Sequence, residues 1–383
     1  MVSEPVPDGP QEVPATEIAV KVHGDFVALL DRLNLSLVLS VRPNQIVFLG
    51  ALDNALTLHT TRVTQPMGLA ANTQRLAVAT VRTIIVFANA ARLAAHHPVK
   101  PGYYDAFFVP RVVHFTGECQ MHDMVFSHGG IIGANTLFSC ICRIDGTFSF
   151  TPLWRPSFIT RLRPQDRCHL NGFAGQNDQL RYVTALAATD TEGGWRDLPD
   201  FAGILIDAEK NQILRDDLCM PHSPRLVGDD LYLLNGGLGE LLKIDRQTGA
   251  STVLATLPGF AHGLCEHSGV LFVGLSQNRL TRRDNPPPIA QRVESMIAGV
   301  AAIEIKTGEL LGMVEFTDGA TEIYDVQPLP GIRRAGMYGL MADDGFVSVD
   351  TPQSVFWLKR TGNEMAHLID AAATGNYLIR IKK

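Results

Sequence analysis

Four histidines stand at comparable places in the chain: His122 in MHDMVFS, His169 in CHLNGFA, His222 in PHSPRLV and His262 in AHGLCE. Each opens a short apolar run instead of sitting in a polar turn. Neutral imidazole is a good ligand for divalent transition metals, and zinc–nitrogen bonds of about 2.0–2.1 Å require several rings to converge on one point. Three or four imidazoles with one position left open would leave room for water or substrate, which separates a catalytic site from a closed structural one. Iron, zinc, copper or manganese would suit such a set. Calcium, which takes roughly six to eight oxygens, would not. Taken singly, each histidine is better explained as a hydrogen-bonded core residue; the weight lies in four sharing one position.

Polar residues follow closely. A metal-bound histidine needs its other ring nitrogen held by a carboxylate or carbonyl, and Asp123, Asn171 and Asp325 are the candidates for that role. The competing explanation is structural, because buried charges are normally paired. Glu322 is a candidate general base, and Tyr324 occupies a position equivalent to the histidines. Arg225, in HSPR, could hold a carboxylate or phosphate bidentately, which would suit an anionic substrate.

Equivalence of these positions depends on a repeat. From His222 the chain reads HSPRLV, GDD, LYLLNGG, LGELLKID, RQTG and ASTVLATL, which is four apolar segments separated by turn residues. Related copies start at His122, His169 and His262, an earlier one at Met67 (MGLAA) and a later one at Tyr324 (YDVQPLPG). A four-stranded sheet cannot bury both faces alone, so such copies stack around a ring. The six starts predict an all-β fold, a single β-propeller of six blades. The last copy lacks outer strands, and LSLVLSVRPNQIVFLGALDNALTLHT at 35–60 supplies them, closing the ring and removing a free edge. Register then places Met67, His122, His169, His222, His262 and Tyr324 at one height around the channel mouth.

Composition agrees. Only 19% of residues are charged while 34 are Gly and 22 are Pro, which fits short strands and tight turns. A net charge of −6 leaves no electrostatic footprint for nucleic acid. No apolar run of roughly 18 residues is present to span a bilayer. The proline-rich, acidic residues 1–17 are expected not to pack, 18–335 to form the propeller, and 336–383 to be a tail outside the blades, with a candidate helix in NEMAHLIDAAATG. The stretch 278–296, with three consecutive prolines, is expected to be a loop over one face. The six cysteines form no CxxC pair, and a reducing cytoplasm is the expected setting. Asp166 and Arg167 suggest a structural turn, Trp154 and Trp195 blade packing, and His96–His97 a surface turn. GGLGEL opens no helix, so it is no phosphate loop.

Several ordered strings carry a family resemblance: NTLFSC, WRPSFI, DRCHLNG, GGWR, MPHSPR, VGLS and EIYDV. In these, over roughly residues 35–332, the chain resembles an uncharacterised bacterial conserved-hypothetical family for which a propeller is the expected fold. The resemblance carries His122, His169 and His222 onto matching positions. His262 departs from it, since arginine is commoner there, and Tyr324 stands where phenylalanine is common.

Two functions compete. One is a metal-dependent enzyme, an oxidoreductase or hydrolase, with its site at the histidine mouth. The other is a non-catalytic propeller that holds a small-molecule, peptide or protein partner. A calcium-dependent lactonase-like hydrolase ranks last, because the register positions offer no carboxylate and asparagine cage.

Overall fold

The computed structural model describes residues 17–277, 286–339, 346–361 and 364–370. The repeat seen from His222 folds as four antiparallel strands, Pro221–Val227, Asp230–Asn235, Glu240–Ile244 and Ser251–Thr256. Its first turn holds Gly228 at φ 59°, a left-handed conformation that a side chain would resist. Six such sheets form a six-bladed propeller.

The inner strands of blades 2 to 6 are Leu69–Ala71, Met121–Ser127, Leu170–Gln176, Pro221–Val227 and Phe260–His267. Blade 1 combines the two ends of the ring. Its inner strand, Glu322–Pro330, pairs with Leu35–Arg42, which pairs with Gln45–Leu52 and then Ala55–Arg62. The register sets Leu37 opposite Pro328 and Arg42 opposite Glu322. The closure expected of residues 35–60 is therefore present, and it completes the last blade.

Each blade is covered on both faces, so its middle strands are buried almost end to end, as Leu35–Arg42 and Gln45–Leu52 are, whereas outer strands such as Gln212–Leu218 reach solvent. Along Leu35–Arg42, Leu37 and Leu39 face Phe272, Val300 and Val314 of blade 6, whereas Val38 faces Leu69, Val78 and Phe87 of blade 2. Alternation still assigns the face, but both faces are core. Gly68 marks a tight seam: a Cβ there would meet the His122 carbonyl oxygen at 2.8 Å.

Three additions lie outside the repeat. Ala19–Gly24 extends blade 6 by pairing with Leu310–Asp318. A helix, Phe26–Leu33, buries Phe26, Leu29 and Leu30 at amphipathic spacing and stops at Asn34, whose φ is 50°. In the tail, Ala335–Met337 pairs in parallel with Ala106–Phe108 and covers the outer edge of blade 2.

A further sheet of Phe346–Asp350, Val355–Thr361 and Glu364–Asp370 follows. The helix expected in NEMAHLIDAAATG is thus replaced by strand over 364–370, and the rest of that segment lies outside the described residues. Strand pairing supplies the main-chain partners that so short a helix would leave unmet at its ends. Trp357 is buried, donates from its indole to the Leu93 carbonyl at 3.1 Å, and meets the rings of His97 and Phe107. His97 is consequently buried instead of sitting in a surface turn; His96 is exposed.

Residues 1–16 and 278–285 lie outside the described residues. The remainder of the proline-rich insertion seats on the ring: Ile289 is buried and Arg292 donates to the Leu238 carbonyl at 2.5 Å. Among the described residues no helix is long and apolar enough to cross a membrane. All six cysteines are buried and none is in a disulfide.

Candidate functional site

The equal register of the inner strands brings the marked side chains together at one mouth of the channel. The ring centroids of His222 and His262 are 4.3 Å apart, those of His122 and His169 4.9 Å, and those of His122 and His262 6.5 Å. The Tyr324 ring lies between His262 and His122, at 4.7 and 5.1 Å. A cavity of about 540 Å³ opens on this cluster, and His122, His169, His222, Glu322 and Tyr324 are in its wall. His262 touches His222 and Tyr324 and is buried.

Local backbone geometry aims the rings. In blades 3 to 6 the inner-strand ladder is irregular just after the histidine, and such bulges re-aim a side chain. Gln65, Gln120 and Met220, each two residues before Met67, His122 and His222, share a left-handed φ of 47°, 53° and 50°. Such a φ is uncommon for a side-chain-bearing residue and persists only where the surroundings enforce it. Here it turns a carbonyl towards the imidazole: Gln120 O lies 3.0 Å from His122 Nδ1, and Met220 O lies 2.9 Å from His222 Nδ1.

The other two rings are held in the same sense by different groups. His262 Nδ1 meets the Tyr324 carbonyl of the next blade. His169 Nδ1 is 2.9 and 3.0 Å from the two Asp166 carboxylate oxygens. His122 Nδ1 is also 2.7 Å from Thr136 Oγ1, whose hydroxyl donates to the Leu170 carbonyl, so the Thr136 oxygen accepts from the imidazole. A carbonyl or carboxylate can only accept. In all four rings, therefore, Nδ1 carries the hydrogen, and in the neutral imidazole the lone pair belongs to Nε2. Even so, among the described residues no three His, Cys, Asp or Glu side chains surround one point closely enough to hold a metal ion.

The residues expected to support the histidines do other work. Asp123 accepts from the Phe173 N–H and from both terminal nitrogens of Arg225, at 2.7 and 3.1 Å. Asn171 donates to the Pro221 carbonyl, and Asp325 accepts from the N–H groups of Leu69 and Val326. Most of these contacts tie inner strands together, to the next blade for Asn171 with Pro221 and Asp325 with Leu69 and across one blade for Asp123 with Arg225; in none of them is a histidine the partner. For Asp123 and Asp325, one place along from His122 and Tyr324, the physical reason is alternation, which turns them into the seam between blades; Asn171, two places from His169, sits where the ladder shifts register between Leu170 and Gly172.

Arg225 is likewise not a substrate-facing cation. Its Nε donates to the Leu264 carbonyl at 2.8 Å, and NH1 also reaches the carbonyls of Pro224 and Phe173. Burial works against its charge, but the Asp123 carboxylate outweighs that and raises its pKa. Burial and the neighbouring Asp123 charge push the Asp325 carboxyl up to about 7, against the opposing pull of Arg225 and two backbone N–H groups. The Cys168 thiol is raised to about 12 by burial, which fits its reading as an inert core residue.

Three residues not expected to belong to the site help to build the mouth, Arg42 and Arg196 in the cavity wall and Asp166 behind it. Asp166 is a hub, accepting from His169 and from the Trp195 indole at 2.8 Å and forming an ion pair with Arg196 at 3.4 Å. Its spacing of three residues from His169 was a visible signal. Arg196 stacks on Trp195, its guanidinium carbon 4.1 Å from the ring centroid. Arg42, on the second strand of blade 1, stacks on Tyr324 at 4.9 Å. Nothing local in the sequence connects Arg42 to a mouth nearly the whole chain away.

Solved structures that resemble this one are distant from it in sequence. One is described as "Crystal structure of Nidogen/Laminin Complex", with TM-score 0.49 and 13% identity, covering 78% of this chain and 99% of that one. Another is described as a protein of unknown function from Bacteroides caccae, with TM-score 0.47 and 10% identity, covering 77% and 98%. A computationally designed protein, Ika8, aligns with TM-score 0.33 and 12% identity over 83% and 79%. No curated protein matches the chain. Residues 24–338 match the family described as "Domain of unknown function (DUF4915)", and to that family the chain belongs.

Proposed function

We propose that the protein is a metal-dependent enzyme acting on a small-molecule or peptide substrate at the histidine mouth. His122, His169, His222 and His262 would hold iron, zinc, copper or manganese through Nε2. The observation that carries this is the shared engagement of Nδ1 by Gln120 O, Asp166, Met220 O and Tyr324 O. Fixing that nitrogen as the donor is how proteins orient metal-ligating imidazoles and raise their basicity. Rings on one ion keep their centroids about 5 Å apart, given metal–nitrogen bonds near 2 Å. The pairs His122–His169 and His222–His262 stand at 4.9 and 4.3 Å. Loading the ion has to draw the four Nε2 atoms inward, since no ligating triad is assembled among the described residues.

Iron or copper would supply oxidoreductase chemistry, and zinc would activate water for hydrolysis. Glu322 and Tyr324 are both in the cavity wall, where Glu322 would take a proton and Tyr324 would contact substrate. Six buried cysteines without a disulfide fit a reducing compartment, for which we propose the cytoplasm. The narrower kinship suggested by the ordered strings from NTLFSC to EIYDV belongs with this proposal.

Protein purified without an affinity tag should carry metal near one equivalent, and His169→Ala and His222→Ala should lose it. Metal-free wild type that takes up none of the four metals on dialysis overturns the assignment. A non-catalytic ligand-binding propeller is the second reading, favoured by the absence of a preassembled triad among the described residues. It predicts binding at the same mouth with neither metal nor turnover.

A further inference from the structure

Arg225, the cation first expected to receive an anionic substrate, has its guanidinium spent on Asp123 and three carbonyls. The mouth carries another. Arg42 is in the wall of the same 540 Å³ cavity as the histidines, and its guanidinium carbon lies 4.9 Å from the Tyr324 ring centroid. Among the described residues it makes no ion pair, and its Nε is buried with no hydrogen-bond acceptor. A buried donor of an always-charged group is costly to leave unmet. Stacking on an aromatic face orients the plane of the guanidinium without using any of its N–H groups.

Arg196 adds a second guanidinium to the wall, held flat on Trp195 and partly offset by Asp166 at 3.4 Å. Against these two cations the charged lining offers one carboxylate, Glu322. The donors of a planar guanidinium match the two oxygens of a carboxylate or phosphate in fork geometry.

We propose that Arg42 is the anchor for an oxyanion group, carboxylate or phosphate, on the substrate, holding the rest of that molecule against the four imidazoles. This rests on the mouth being the substrate site, and it deepens that assignment by giving the substrate a negative charge. It does not depend on the metal.

The test uses the full-length protein stripped of metal and follows Trp195 fluorescence while benzoate, inorganic phosphate or neutral benzamide is added at matched ionic strength. Saturable quenching by benzoate or by phosphate, but not by benzamide, is expected, and the more effective anion identifies the group. The signal should vanish in Trp195→Phe, because Trp154 and Trp357 lie elsewhere in the fold. Arg42→Gln should weaken the anion roughly tenfold or more, as expected for losing a charge-assisted hydrogen bond. Arg42→Lys keeps the charge without the fork and should weaken it several-fold, which decides the matter if the glutamine variant does not fold. The proposal is overturned if neither anion saturates, if quenching persists in Trp195→Phe, or if the Arg42 variants bind as wild type does. Metal content measured on the same samples separates the two claims: anion binding without any metal uptake sinks only the metal assignment, and metal uptake without anion binding sinks only the anchor.

Discussion

The carboxylate of Asp166 accepts the Nδ1 hydrogen of His169 at 2.9 Å, and the same oxygen accepts from the Trp195 indole at 2.8 Å. One side chain thus sets both the direction of an imidazole and the position of an aromatic wall. Asp166→Ala should weaken metal binding about 10–100-fold, the usual cost of removing a partner that orients a ligand. Asp166→Asn, whose amide oxygen still accepts one bond, should fall between. Equal metal affinity in Asp166→Ala and wild type, read by competition with a chromogenic chelator, would show that His169 is not a ligand.

Below the mouth, Arg225 and Asp123 bridge blades 5 and 3. Replacing Arg225 by Met leaves the Asp123 carboxylate buried without its counter-charge, at a cost of about 3–5 kcal/mol in urea unfolding. Adding Asp123→Asn to that variant should recover a large part of the loss. If the two losses simply add, the pair is not energetically coupled.

Asp325 makes stability depend on pH. Its folded-state pKa is raised to about 7, above the unfolded value of about 3.9, so between those values the folded chain binds more protons than the unfolded one. Stability from this group is therefore fully present below about pH 4 and is lost as pH rises through about 7. Denaturant midpoints measured from pH 5 to 8 should fall, and Asp325→Asn should flatten that fall. A wild-type slope that survives the substitution would have to come from another group.

Trp357 fastens the tail sheet to blade 2 through Leu93, His97 and Phe107. Trp357→Ala should cost about 3 kcal/mol and expose residues 346–361 to protease. The ring should survive, since its closure lies in the pairing of Leu35–Arg42 with Glu322–Pro330. Unchanged cleavage in the variant would mean that the tail is held by other contacts.

Most of the architecture could be read from local pattern. Runs such as LYLLNGG and LGELLKID between turn residues identify strands, and the recurrence of the run from His222 at His122, His169 and His262 identifies blades. Symmetry then dictates that equivalent side chains meet around one axis, which is why the convergence of the four imidazoles was foreseeable. The strand formed by 364–370 was not, because strand or helix there depends on partners elsewhere in the chain.

What only tertiary structure decided was which polar neighbour serves which purpose. Asp123, Asn171, Arg225 and Asp325 follow the marked residues closely in sequence, yet the pleat, and in blades 4 and 5 the register shifts after His169 and His222, turn them into the seams between blades. The groups that hold the imidazoles are backbone carbonyls, to which sequence is blind, and Asp166, which looked like a turn residue. Arg42 reaches the mouth only because ring closure sets it opposite Glu322. Periodicity along a chain reports the face a residue takes, whereas a site is assembled across blades from residues whose separation in sequence carries no distance information.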